Sequence, residues 1–166
     1  MKHNGSAYVA IVIAALTAYF VYQWWFNPAR AIKRRLGEVA AALSVPAPDS
    51  DIARVERLAQ LREYLAEDVR IEVAGAQAVS SRQAALALVG AFRPAPGGAN
   101  VRFIDTQVNV DSADQGRAWL TVEVSTPDRQ TGERSIDTRD ATVTLARRGG
   151  EWVITSAESL PPPTRP

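Results

Sequence analysis

Acid–base chemistry has few side chains to draw on in this chain. No cysteine occurs, the one histidine is His3, and no lysine lies beyond Arg35. Proton transfer in the body of the chain would therefore fall on carboxylates and tyrosine, and Schiff-base chemistry is excluded there. The sulfur and imidazole ligands that zinc favours are missing as well, so neither a metal nor a cofactor is expected. Asp111 and Asp114 flank a turn and suit hydrogen bonds to turn amides better than calcium. Asp137, Arg139 and Asp140 share one stretch; they read first as ion pairs and second as the wall of a polar pocket. Trp119 and Trp152 could line a ligand site, although large aromatics on strands more often pack against helices. Pro96-Gly97-Gly98-Ala99 joins a helix to a strand, the reverse of the order that aims amides at a phosphate, and is a turn. With a net charge of +1 and arginines interleaved with acids from Asp49 onward, the chain is not expected to bind nucleic acid.

Two amphipathic helices must carry the first of these residues. Ile32, Leu36, Val39 and Leu43 make one apolar stripe over 29–44, which Pro46 and Pro48 end. A second stripe, Ile52, Val55, Leu58, Leu61 and Leu65, follows the capping group Asp49-Ser50-Asp51. Alternation sets in at Val69-Arg70-Ile71-Glu72-Val73, the first strand. Ser80 to Gln83 reads as a capping box with Ser80 as the cap, opening a helix from Ala84 to Phe92. Val101–Val110, Arg117–Thr126, Glu133–Arg147 and Glu151–Leu160 then alternate between turn signals, which predicts a meander of antiparallel strands. Ile104, Thr106, Val108 and Val110 share one face and Asp105, Gln107 and Asn109 the other, while Phe103 breaks phase at a bulge. Ala118, Leu120, Val122 and Val124 lie opposite Trp119, Thr121, Glu123 and Ser125.

Ahead of these elements, Ala7 to Phe26 is apolar and carries no Asp, Glu, Lys or Arg. Its length matches a hydrocarbon core of about 30 Å, Tyr22, Trp24 and Trp25 suit the headgroup layer, and no small-residue cleavage site follows it. The expected organisation is a tail at 1–6, a transmembrane helix at 7–28 and an amphipathic helix with linker at 29–48, open to being the first helix of the domain. A domain at 49–160 and a disordered proline-rich tail at 161–166 complete it. Lipid is then the partner of residues 7–26 and the inner membrane the location. Arg30, Lys33, Arg34 and Arg35 favour a cytoplasmic domain by the positive-inside rule.

The order helix, helix, strand, helix and four long strands, with Tyr64 to Val69 leading into the first strand and Gly150-Glu151-Trp152-Val153-Ile154 opening the last, resembles the NTF2-like superfamily and its SnoaL-like branch. The resemblance implies an α+β cone: three helices packed on a curved antiparallel sheet of about five strands, with a pocket at the open end. An anchor followed by such a domain is similar to Mce-associated membrane proteins and to inner-membrane components of secretion machines, which implies an extracytoplasmic domain and an envelope partner. It also implies dimerisation through the sheet, with Trp119, Thr121 and Glu123 as contacts. Ketosteroid isomerase, on the same fold, suggests Tyr64 and Asp105 as a partial imitation of its acid–base set. Tyr64, Asp105, Gln107, Trp119, Thr121, Glu123, Asp137, Arg139 and Trp152 are the candidate pocket or interface residues. The expected role is a non-enzymatic ligand-binding or assembly module, with a small isomerase, cyclase or dehydratase as the alternative.

Overall fold

A computed structural model describes residues 11–19, 27–75, 77–94, 97–128, 131 and 133–160. Helix α1, Pro28–Leu43, starts where the Asn27 side chain accepts from the Ala29 amide at 3.0 Å, with proline at the first turn where its missing N–H costs nothing. It buries Ile32, Leu36 and Val39, the predicted stripe. Helix α2, Asp51–Tyr64, is capped by Ser50, whose hydroxyl accepts from the Ala53 amide. Its stripe is corrected in its first half only: Leu61 and Leu65 are buried and Leu58 is half-buried, while Ile52 and Val55 are 75% and 66% exposed. The helix meets the core through its C-terminal half, so its first turns hang outside. Helix α3, Arg82–Ala91, is capped by Ser81 and not Ser80, because Ser81 accepts from the Ala84 amide at 3.2 Å.

Strands β1, Leu65–Glu72, β2, Asn100–Ser112, β3, Gln115–Pro127, β4, Arg134–Arg148, and β5, Glu151–Ser159, form one sheet in the order β1-β5-β4-β3-β2. The four C-terminal strands are the expected meander. The all-antiparallel sheet is a correction, since β1 lies parallel to β5; a parallel neighbour needs a long crossover, and everything from α3 to β4 supplies it. A bulge lies between Ile104 and Gln107 and not at Phe103, which corrects the predicted face of Ile104: opposite Thr121 it falls on the outer side, while Phe103, opposite Val122, shares the inner side with Val108, opposite Ala118. At the centre of the bulge Asp105 holds φ +51°, a left-handed conformation that aspartate tolerates better than most residues.

Helices and sheet share one core, in which Ile32, Leu36, Leu145 and Val69 are the most deeply buried large side chains. Gly116 lets α1 approach β3: a Cβ there would stand 2.6 Å from Ile32 Cδ1. Arg82 ties α3 to β1 through Glu67 at 3.0 Å, and Arg148 reaches Asp68 with both guanidinium nitrogens at 2.8 and 3.2 Å.

The transmembrane helix is a further correction. Among the described residues no helix is long and apolar enough to cross a membrane. The expected inner-membrane location loses its support with it. Residues 1–10, 20–26 and 161–166, on which both expected tails and the rest of the span fall, lie outside the described residues.

Candidate ligand cavity

The helices do not fill the concave side of the sheet. A cavity of about 320 Å³ remains between them. Val39 and Leu43 of α1, Leu61 of α2 and Ala85 and Val89 of α3 form its roof; Phe103, Leu120, Val122, Ala141, Val143 and Ile154 form its floor. The floor follows from the pleat: on β3 every second side chain, Ala118, Leu120 and Val122, points to the helices. The bulge at Asp105 brings Phe103 onto the same side, opposite Val122. Glu72 and Glu158 adjoin the space only through their stems, since Glu158 stands opposite Thr142 on the outer face that also carries Trp119, and no polar atom faces the cavity. Among the described residues no polar or charged side chain is fully buried, so the space is dry in character and of the size that small molecules occupy.

A larger open groove of about 720 Å³ lies outside the core, beside Glu56, Arg57, Gln60, Asn100 and Arg134. Its Arg57 already pairs with Asp49 at 2.8 Å, and Arg54 reaches the same carboxylate at 3.0 Å. Arg57 above all holds the Asp49 carboxyl below its ordinary value, with Arg54 adding to the effect against partial desolvation. This charge is spent on joining the loop before α2 to the helix. Arg148 similarly lowers the carboxyl of Asp68, and Asp68 raises Arg148.

The expected site residues stand elsewhere. Tyr64, the last residue of α2, is half-buried under the Arg35 guanidinium, 5.0 Å from the ring centre, and is not on the cavity wall. Asp105 is exposed on β2, at the opposite edge of the sheet from β1, into which Tyr64 leads. Four strand spacings, about 19 Å, separate those edges, so this pair is not brought together. Gln107 and Trp119 face each other across β2 and β3 on the outer face, where Trp119 is 43% exposed. Thr121 donates to Asp140 at 2.7 Å, and Glu123 lies 3.6 Å from Arg102. Asp137 and Arg139 pair with each other at 3.5 Å in solvent. Trp152 is buried in the core near Gly116 and off the cavity wall. Asp111 accepts from the Asn109 side chain at 2.7 Å.

What sequence reasoning missed is the cavity itself. The inward phase of β3 was readable, but polar residues of the outward phase drew the attention that candidate chemistry usually earns.

No family model and no curated protein sequence matches the chain. Solved structures do. An NTF2-like protein with a cystatin-like fold from Novosphingobium aromaticivorans superposes with a TM-score of 0.63 at 17% identity, over 88% of this chain and 90% of that one. A hexachlorocyclohexane dehydrochlorinase from Novosphingobium barchaimii gives 0.62 at 14% identity, over 81% and 86%. An NTF2-like protein of unknown function from Pseudomonas putida gives 0.61 at 16%, over 82% and 87%. At such identities the likeness speaks for architecture alone: the chain has the NTF2-like, cystatin-like α+β fold.

Proposed function

We propose that this domain is a non-catalytic module that holds a small apolar ligand between its helices and the concave face of its sheet. The observation that carries this reading is the cavity of about 320 Å³ with wholly apolar walls. Burying an apolar molecule there gains roughly 25 cal/mol per Å² of surface removed from water. Similarity to a dehydrochlorinase keeps an enzyme in view as the alternative. That alternative needs a carboxylate inside the cavity, and Asp105 and Asp137 are both exposed outside it. A neutral solvatochromic dye such as Nile red tests the reading. Saturable blue-shifted emission that is lost in Ala141→Leu, which fills the space from the floor, is the expected result; emission indifferent to that substitution would refute it.

Self-association through the outer face is a second reading, favoured by the exposed Trp119 with Gln107 beside it. Sedimentation should then show a dimer that Trp119→Glu dissociates, and a strict monomer would exclude it.

A further inference from the structure

The cavity has a closed end and an open one, and what stands outside the open end says which ligands it takes, an inference that rests on the ligand-binding reading above. Toward Ala118 and Leu145 the core shuts it, both side chains being wholly buried. In the other direction the β4 part of the floor ends at Ala141, which faces Leu120 on β3 and Ser159 on β5. Beyond it β4 is exposed at every position from Arg134 to Asp140. The next residue of β4 with the inward phase of Ala141 and Val143 is Arg139, directly opposite the cavity residue Val122. Its neighbours on that face, Phe103, Val122 and Ser159, carry no charge. Arg139 keeps half its side chain in water and meets Asp137 at 3.5 Å, while Asp137 itself starts about 7 Å farther from the space along the strand. We infer that the ligand is an amphiphile with an apolar body and an anionic head, a medium-chain carboxylate, whose head leaves the cavity at this end and pairs with Arg139.

The wall of the cavity is apolar throughout, so it holds the hydrocarbon body and takes no part in choosing the head. The choice falls outside the wall. There a carboxylate meets a guanidinium able to engage both of its oxygens in parallel, whereas an ammonium head meets a like charge before it can reach Asp137. Net charge would not produce that preference, because the whole chain carries only +1. The selection lies in one inward-phase arginine at one end of one cavity.

Calorimetric titration of the full chain with octanoate, octanol and octylamine, three heads on one body, tests it. The expected order is carboxylate tightest, alcohol next and amine weakest, with roughly tenfold between the extremes, as suits a half-exposed charge that attracts one head and repels the other. In Arg139→Gln octanoate should fall to the level of octanol, and in Arg139→Glu the order should invert; both changes are at an exposed position and leave the core intact. A preference for octanoate that persists in Arg139→Gln, or equal binding of all three heads that Ala141→Leu abolishes, would overturn the head-group inference and leave the cavity reading standing. Absence of binding by every head, or binding that survives Ala141→Leu, would overturn both.

Discussion

The two faces of β3 divide the molecule's chemistry. Inward, Ala118, Leu120 and Val122 meet the helices and leave a dry space. Outward, Trp119 is exposed, Thr121 donates to Asp140 and Glu123 pairs with Arg102. Reactive side chains thus crowd the face that is wet, and the face able to exclude water carries none. The lesson is that a residue's chemical type says little until the pleat has assigned it a side. A base must be desolvated to be tuned, and the candidate carboxylates Asp105 and Asp137 both lie in solvent, the latter paired with Arg139.

The sharpest way to break this contrast is to truncate adjacent residues on opposite faces. Leu120→Ala should cost about 2–5 kcal/mol, since it removes a buried side chain beside an existing void, while Thr121→Ala should stay near about 0.5 kcal/mol. Urea unfolding of the two variants reads the difference directly, and equal losses would contradict the assignment of faces. A smaller effect is expected at the bulge that turns Phe103 inward. Asp105→Gly should be neutral or slightly stabilising, whereas Asp105→Val should lose about 1–2 kcal/mol, because a branched side chain strains at φ +51°. Were both tolerated, the bulge would not be what orients Phe103.

The mildest effect concerns the wet side and depends on pH. Asp49 has its carboxyl lowered by Arg57 and Arg54, so its charged form is favoured by folding. Its contribution is complete above the ordinary aspartate value of about 3.9 and disappears as the pH falls below it. Asp49→Asn should therefore lower the thermal midpoint at neutral pH and converge on the parent protein in acid. A gap that widened on acidification would reverse the sign and exclude the pairing as its source.

Much of the fold was legible because its signals are local. Period-two alternation in residues 101–160 marks four strands, and Gly149 and Gly150, both at positive φ, mark the tight turn between β4 and β5. The phase break at Phe103 signalled a bulge, which lies further on, between Ile104 and Gln107. Three things were not legible. Parallel pairing of β1 with β5 is a contact between distant segments that periodicity does not encode. The exposure of Ile52 and Val55 depends on how far α2 overhangs the sheet, whereas helical spacing alone makes them core. The cavity is a space that side chains fail to fill, and a sequence records only what fills. The apolar stretch at 7–28 carried a membrane reading on hydropathy, flanking aromatics and the lack of a cleavage site, and among the described residues no helix is long and apolar enough to bear it out.

Crystals of the protein held under xenon pressure test the central claim most directly, because xenon enters apolar voids without needing a polar partner. The account predicts xenon density between Leu120 and Val143 on the sheet and Leu61 and Val89 on the helices, and none there in Ala141→Leu crystals. Ordered water filling that space in the parent protein, with no xenon bound, would contradict it.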